Sequence, residues 1–276
     1  MTWDTVVMVD WSGGNDRGAR PTHDAIWAGV QRGEVSEEPR YFRNRAVFTT
    51  WFTDFLETEL SAGRRVMAGF DFPFGYPAGF GKHLTGTDDP LALWDWFSDR
   101  ITDTPKANNR FDVAGEINGG LPGIGPFWGN PLKRAVANLP RKGLARTANP
   151  FPERRVVETL AKGSFTCWQL AGAGAVGSQV MMGLPVLQRL RRTFANKISV
   201  WPFMPLDTPI AFVEIWPTLF AGPAPQGMIK DAHQVQATAK AIALRNVTIP
   251  HADLHITAPI EGWILSIPQS QQEAWD

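Results

Sequence analysis

The sequence predicts an α/β fold in which a mixed sheet is interrupted by a long insertion. Short apolar runs and one amphipathic segment succeed each other in the order βββαβ within the first 75 residues. A strand-like run and an alanine-rich helical segment then recur near the end, at 209–216 and 230–245. The intervening chain is rich in Gly, Pro, Asn and Trp and lacks a regular period. With 276 residues, of which 43% are hydrophobic, the chain can build a sizeable core.

The first three strands come from the opening 48 residues. Residues 5–10 are an apolar run that ends in Asp10 and is followed by Trp-Ser-Gly-Gly, which is typical of a buried strand before a tight loop. Residues 25–30 and 40–48 are the next two strand candidates. Gln-Arg-Gly directly follows the second run and separates it from the third. We therefore expect the three strands to form an antiparallel meander.

A helix and a fourth strand come next. From Thr49 the apolar residues recur at helical spacing, Thr49 or Thr50 can cap the helix, and Gly63 ends it. Residues 66–70 return to a strand pattern that ends in Asp71. The remaining predicted elements are helices at 91–100, 180–194 and 230–245 and strands at 198–203 and 209–216.

Composition narrows the class of protein. The single cysteine, Cys167, excludes an intramolecular disulfide and a cysteine-rich zinc site. The start of the chain does not resemble a secretory signal, and no run reaches the roughly 18 apolar residues of a membrane span. We therefore expect a soluble cytoplasmic protein with no membrane partner. The five histidines show no convincing zinc-ligand spacing.

Four acids stand in surroundings where solvation alone does not explain them. Asp10 and Asp71 end apolar strands, Glu214 lies inside Ala-Phe-Val-Glu-Ile-Trp, and Asp231 begins the last helix. A carboxylate in such surroundings needs a hydrogen bond, a cationic partner or a metal ion. If the four converge, their oxygen ligands suit Mg²⁺ or Mn²⁺. Each also has a simpler explanation: turn hydrogen bonds for Asp10 and Asp71, an arginine partner for Glu214, and a helix cap for Asp231.

Positive charge is concentrated in the middle of the chain. Residues 131–200 carry 12 basic and 2 acidic side chains, although the net charge of the whole chain is +0. Such a segment attracts phosphates, or it forms a solvated surface that faces acidic neighbours. The candidate phosphate-binding residues are Arg141, Lys142, Arg154 and Arg155.

Residues 172–177 match G-x-G-x-x-G between a strand-like run and a helix. The acid that dinucleotide sites place about 20 residues later is missing, since positions 191, 192 and 197 are basic. Close backbone packing is the simplest interpretation, and a substrate phosphate at the helix start remains an alternative.

At the residue level the chain resembles a bacterial domain-of-unknown-function family of predicted ribonuclease-H-like nucleases. The matching segments are VDWSGG with Asp10, GFDFPFG with Asp71, VEIWP with Glu214 and KDAHQVQATAKAIA with Asp231. The resemblance implies a ribonuclease-H-like mixed sheet with helices on both faces and a long insertion between strands four and five. It places the core at 1–75 and 205–276 and the insertion subdomain at 76–204. Ribonuclease H also has a glutamate early in the helix after strand three, whereas Thr49-Thr50-Trp51 stands there and the nearest acids are Asp54, Glu57 and Glu59.

The function predicted on these grounds is a Mg²⁺- or Mn²⁺-dependent nuclease that hydrolyses phosphodiester bonds of DNA or RNA. Asp10, Asp71, Glu214 and Asp231 would hold the metal and carry the catalysis, and nucleic acid would be the partner. Two alternatives keep the architecture: an ATP-dependent phosphotransferase of the actin-like or sugar-kinase type, and a non-catalytic adaptor.

Overall fold

A computed structural model describes residues 2–244 and 260–268, and these fall into two compact units. The first unit contains residues 2–72, 189–244 and 264–266, and the second contains 73–188, 260–263 and 267–268. The chain thus leaves the first unit after Phe72 and returns to it at Arg189. The predicted boundary near residue 75 lies close to this exit, whereas the return comes earlier than the predicted residue 204.

The first unit is built on one mixed sheet, so the predicted α/β class with a mixed sheet is confirmed. The strands are β1 Thr5–Asp10, β2 Ile26–Arg32, β3 Val35–Ser36, β4 Arg40–Phe42, β5 Val66–Phe70, β6 Ile198–Val200 and β7 Ile210–Glu214. Their order in the sheet is β3-β2-β1-β5-β7-β6, and β4 also pairs with β2. β2 is antiparallel to β1, β3 and β4, whereas the pairs β1–β5, β5–β7 and β6–β7 are parallel.

Helices α1 (Arg45–Ser61) and α7 (Lys230–Leu244) belong to this unit. Aromatic side chains on α1 cover one face of the sheet. Phe52 of α1 lies 5.8 Å, between ring centroids, from Phe70 of β5, and Phe70 lies 5.4 Å from Phe212 of β7. Phe48 of α1 lies 5.3 Å from Trp11, just after β1. Full burial of each large apolar side chain contributes about 1.5–3 kcal/mol, so this cluster holds α1 against the sheet.

The opposite face is covered by α7. Gly29 of β2 lies under this helix, since a Cβ atom added there would be 2.6 Å from the main-chain carbon and oxygen of Val235. Gly29 stands opposite Met8 in the antiparallel register, and Met8 stands beside Gly69 in the parallel one. Side chains paired across a ladder share a face. Helices therefore lie on both faces of the sheet, as the resemblance implies.

The helix after the third strand begins earlier than predicted. The expected strand at 40–48 ends at Phe42, and α1 begins at Arg45 instead of Thr49. The reason is a cap, because the side chain of Asn44 accepts a hydrogen bond from the main-chain N–H of Val47 at 2.9 Å. No acid stands in the first turn of α1, so the glutamate position of ribonuclease H has no counterpart there.

The other predicted elements of the first unit mostly agree with the structure. The strand expected at 198–203 ends at Val200, where the chain turns, and it pairs with β7 in the sheet. This strand was placed in the predicted insertion, 76–204, but it belongs to the first unit. The helix at 230–245 is confirmed through Leu244, and Arg245 lies outside the described residues.

The described part of the second unit combines five α-helices with long irregular segments around an aromatic core. Tyr76, Phe80, Phe127 and Trp168 are buried and in mutual ring contact, with Tyr76–Phe80 centroids 4.6 Å apart and Phe80–Trp168 centroids 5.0 Å apart. The predicted helix at 91–100 is confirmed, and three helices of this unit were not predicted. The helices are α2 Phe80–Thr85, α3 Pro90–Arg100, α4 Arg110–Gly119, α5 Val156–Leu160 and α6 Gly177–Thr193, whose last residues belong to the first unit.

Close packing accounts for the G-x-G-x-x-G segment. A Cβ atom added at Gly174 would overlap the ring of Phe165, and one added at Gly177 would overlap the carbonyl oxygen of Cys167. Gly172 and Gly174 also adopt positive φ, at 95° and 75°. Close contacts at Gly174 and Gly177 and positive φ at Gly172 and Gly174 thus account for these glycines. Among the helices of the described ranges, none combines the length and the apolarity needed to cross a bilayer.

We predict that Gly29→Ala destabilises the first unit, because the new methyl group would collide with the main chain of Val235. Overpacking of this kind costs about 1–3 kcal/mol. The urea midpoint of unfolding measures the effect. Gly222→Ala is the matched control, since a Cβ atom added there has no neighbour within 4 Å. Equal midpoints for the two variants would contradict the close approach of α7.

Candidate functional site

Asp10 and Asp71 stand side by side at the carboxyl ends of neighbouring parallel strands. Val9 of β1 pairs with Phe70 of β5, and the N–H of Asp71 donates to the carbonyl of Val9 at 3.0 Å. The ladder thus continues one residue beyond β5. Because β1 and β5 are parallel, their terminal acids reach the same edge of the sheet.

The residues that flank these acids show which way the acids point. Trp11 and Phe72, one position after each acid, pack together on the α1 side with ring centroids 5.5 Å apart. Trp11 also contacts Phe48 of α1. Successive side chains of an extended strand alternate between faces. Asp10 and Asp71 therefore point to the face that α7 covers.

Asp231 lies on this side of the sheet, because it is in the first turn of α7, the helix that covers this face. An acid at this position is favoured by the partial positive charge of the helix start. Its charge nevertheless raises the pKa of both Asp10 and Asp71, so it lies within their electrostatic range. The structure brings these three predicted acids into one neighbourhood.

Burial and mutual repulsion set the ionisation of the three carboxyls. Burial, followed by the charges of Asp71, Asp231 and Asp24, raises the pKa of Asp10 well above its usual value. Burial, followed by Glu214 and Asp231, raises the pKa of Asp71 to about 7. Burial is also the main cause of the raised pKa of Asp231. In each case Lys230 opposes the shift, but one lysine does not compensate several acids.

Glu214 points away from this group. It ends β7 and pairs with Phe70, so its side chain lies on the same face as Phe70 and Phe212, toward α1. It is buried, with 2% of its surface exposed. Its charge nevertheless raises the pKa of Asp71 more than the charge of Asp231 does, so Glu214 lies within electrostatic range of Asp71 although its side chain is on the other face.

Asp24, which was not among the predicted site residues, lies beside Asp231. Its main-chain N–H donates to Oδ2 of Asp231 at 2.7 Å, and its charge raises the pKa of Asp10 and Asp231. Its own carboxylate pairs with Nδ1 of His23 at 2.7 Å. The sequence signal was an acid just before the second strand. That signal does not show that the loop folds back onto the start of α7.

The loop between β1 and β2 is held in place by cations. Nη1 of the buried Arg45 donates to the carbonyls of Ser12 at 2.8 Å and Gly14 at 2.6 Å. Nε of Arg43 donates to Asp16 at 2.7 Å. Hydrogen bonds from Arg43 are the main cause of the lowered pKa of Asp16, about 2. This loop thus has a defined shape beside Asp10.

Glu59, one of the acids nearest to the ribonuclease H glutamate in sequence, has a structural role. Its buried carboxylate accepts from Arg32 and Arg64, each at 2.7 Å, and from the hydroxyl of Thr5 at 2.5 Å. Burial opposes its ionisation, but these hydrogen bonds outweigh burial and lower its pKa to about 2. The partners of Glu59 are thus supplied within the core.

The predicted phosphate-binding residues lie in the second unit, and three of them are exposed. Main-chain carbonyls orient two of the guanidiniums: Arg141 donates to Asn130 at 3.2 Å, and Arg154 donates to Ser164 at 2.7 Å. Lys142 is also exposed. Arg155 differs, because it is completely buried and donates to Glu158 at 2.8 Å. Its guanidinium is used inside the unit and is not placed to meet a phosphate.

The carboxylates suit a divalent cation by their chemistry, although they are not closed around one. Asp10, Asp71 and Asp231 offer only oxygen ligands, and each raised pKa reports negative charge or burial that a cation would relieve. Across residues 2–244 and 260–268, no three or more His, Cys, Asp or Glu side chains are grouped as metal ligands. A cation here would therefore need these side chains to converge on it.

Comparison of the chain with family models, with curated proteins and with solved structures gives no match.

We predict that the metal-free protein loses stability as the pH rises from about 4 to about 7. The folded state keeps the proton of Asp71 up to a pKa of about 7, whereas the unfolded chain releases it near 3.8. In this window the folded state binds more protons, so the free energy of unfolding falls with pH, and the loss is complete above it. Asp71→Asn should remove part of this slope and stabilise the protein at pH 8 by about 1–3 kcal/mol.

Urea unfolding between pH 4 and pH 8 in a chelating buffer measures this slope. Asp54→Asn, on the exposed side of α1, is the control and should behave like the parent protein. If Asp71→Asn and the parent lose stability equally over this range, the repulsion at the site is not what the structure implies.

Proposed function

We propose that the first unit is a ribonuclease-H-like domain and that the protein is a metal-dependent nuclease. Three features support the fold: β2 is antiparallel to β1, β5 is parallel to β1, and α1 connects the third strand of the chain to the fourth. In this count β3 and β4 together form the third strand, since both pair with β2 on the same side. Proteins that share a fold of this kind have different activities, so the function has to be inferred from the residues of the site.

The single observation that carries the proposal is that Asp10 and Asp71, at neighbouring strand ends, and Asp231, in the first turn of α7, share the α7 face, where the charge of Asp231 raises the pKa of the other two. Isolated carboxylates in partly buried positions destabilise a fold unless something compensates them. Positions at the carboxyl ends of parallel strands are where α/β proteins place ligands. We therefore interpret the repulsion as a site built for a cation and not for packing.

In this proposal Asp10, Asp71 and Asp231 hold one or two Mg²⁺ or Mn²⁺ ions. The bound metal would activate a water and neutralise charge on the phosphodiester. The protein's own part is to present oxygen ligands from two rigid strands and one helix start. Lys230 adds one positive charge beside them, which keeps the acids more ionised than burial alone would allow.

The substrate class rests on charge. Arg141, Lys142 and Arg154 are exposed cations of the second unit, and we propose that they bind the phosphate backbone of DNA or RNA. Arg155 is left out of this set because Glu158 already binds its guanidinium. Contacts of this kind hold a strand without reading its sequence.

The phosphotransferase alternative has less support. It would need the main-chain N–H groups of residues 11–14 to hold phosphate oxygens. The N–H of Gly14 instead donates to Oγ of Ser12 at 3.2 Å. The phosphotransferase and the non-catalytic adaptor both remain predictions.

We predict that the purified protein cleaves a nucleic acid substrate in Mn²⁺. Asp10→Asn and Asp71→Asn should each lower the rate by about two to three orders of magnitude, because a metal ligand supports several kcal/mol of transition-state stabilisation. Glu214→Gln should cost about tenfold or less, since its side chain lies on the other face. Single-turnover cleavage of labelled DNA, RNA and branched substrates measures these rates.

Circular dichroism of each variant serves as the control for folding. An Asp10→Asn variant that cleaves as fast as the parent would contradict the proposal. A larger loss of cleavage rate in Glu214→Gln than in Asp71→Asn would instead indicate that the metal binds on the α1 face.

We predict that the exposed cations contribute to the salt dependence of binding. Replacing Arg141, Lys142 and Arg154 together by alanine should reduce the slope of log K against log salt by about 2–3, because each phosphate contact releases nearly one counterion. Fluorescence anisotropy of labelled strands, measured in the Asp10→Asn background, gives this slope. Lys240→Ala, an exposed cation of α7, is the control and should leave the slope unchanged. An unchanged slope in the triple variant would place the nucleic acid elsewhere.

A further inference from the structure

The main chain of Asp24 is held from both sides. Its carbonyl accepts from Oγ of Ser12 at 3.1 Å and from Nε and Nη2 of Arg17 at 3.1 Å and 3.0 Å. Its N–H donates to Oδ2 of Asp231 at 2.7 Å. Ser12 lies just after β1 and Asp231 begins α7, so one peptide segment connects two of the three elements that carry the acids.

Asp24 adopts a conformation that a side chain does not favour. Its φ is 52°, in the left-handed region, which aspartate tolerates better than most residues but still at some cost. Strained residues of this kind persist when their surroundings over-determine them, and they concentrate at functional sites. Here the surroundings are the hydrogen bonds from Ser12 and Arg17.

The carboxylate of Asp24 is directed elsewhere. It pairs with Nδ1 of His23, and both side chains are largely exposed, at 72% for Asp24 and 78% for His23. Only its main-chain N–H contacts Asp231. The contribution of Asp24 to Asp231 is therefore made by its backbone.

We propose that Asp24 is a positioning residue whose clamped main-chain N–H fixes the carboxylate of Asp231 for cation binding. This inference rests on the proposed metal-dependent function. Groups that hydrogen-bond a metal ligand orient it, and their removal typically weakens metal affinity by about 10–100-fold. Ser12 and Arg17 act one step further out, by holding Asp24.

The clamp also has a consequence for the kind of cation. A hydrogen bond to Oδ2 occupies one oxygen of Asp231 and favours binding through the other. Mg²⁺ and Mn²⁺ are small cations that accept one oxygen from each carboxylate, whereas Ca²⁺ readily takes both in a flexible site. A fixed Asp231 should thus favour Mn²⁺ over Ca²⁺.

The test is a double variant, Ser12→Ala with Arg17→Ala, that releases the carbonyl of Asp24 without touching a proposed ligand. In the metal-free protein, hydrogen exchange of the Asp24 amide should become about tenfold faster than in the parent. Isothermal titration with MnCl₂ and CaCl₂ should show Mn²⁺ affinity weakened by about tenfold or more and a reduced preference for Mn²⁺. Loss of fold alone would not change that preference selectively.

Three further variants separate the possible causes. Arg20→Ala removes an exposed cation of the same loop and should match the parent in every measurement. Asp24→Gly keeps the N–H, removes the carboxylate and relieves the positive φ, so it should retain Mn²⁺ affinity. Asp231→Ala should speed exchange of the Asp24 amide as much as the double variant does.

Unchanged exchange and unchanged Mn²⁺ affinity in the double variant would overturn the positioning role. Loss of Mn²⁺ affinity in Asp24→Gly would also overturn it, because the side chain would then be the active part. If the parent protein binds no Mn²⁺ while exchange still responds to the double variant, the proposed function fails and the hydrogen-bonded clamp remains.

Discussion

The parallel register between β1 and β5 determines on which side of the sheet the important side chains lie. Because Val9 pairs with Phe70, the next residues of both strands, Asp10 and Asp71, share a face. The residues after them, Trp11 and Phe72, share the other face and join the aromatic cluster under α1. A shift of one residue in this register would exchange the two sets. The acids are therefore held in place by the packing of the rings.

The same arrangement creates an electrostatic cost. Burial is the largest cause of the raised pKa of all three acids, and the charge of Asp231 raises the pKa of Asp10 and Asp71 further. Two features oppose the raised pKa of Asp231. They are the backbone hydrogen bond from Asp24 and the positive charge of Lys230, each of which lowers that pKa. This compensation is partial, since the pKa values of all three acids stay above their usual values. A site that keeps such a cost suggests a compensating ligand, as the proposed nuclease function requires.

How much the sequence could predict depended on whether the signal was local. Asp10 and Asp71 were found because an acid that ends a short apolar strand stands out from its neighbours. The side chain direction of Glu214 was not predictable, since it depends on the pairing of β7 with β5, and residues 71–209 separate these strands in the sequence. The start of α1 was misplaced because Asn44 offers a cap as good as that of Thr49 or Thr50, and the sequence alone did not rank them. The charge of Arg155 predicts a phosphate contact, but its burial against Glu158 depends on tertiary packing that the local sequence does not show.

The late return of the chain to the first unit affects how the protein is made. Residues 2–72 contain β1, β2, β5 and α1, so the aromatic face can form early on the ribosome. The other face is covered only when α7 has been synthesised, about 160 residues after Asp71. Until then Gly29, Met8 and Gly69 present an uncovered apolar surface. Transiently exposed apolar surface promotes aggregation, so we expect the nascent chain to be prone to aggregation during this interval.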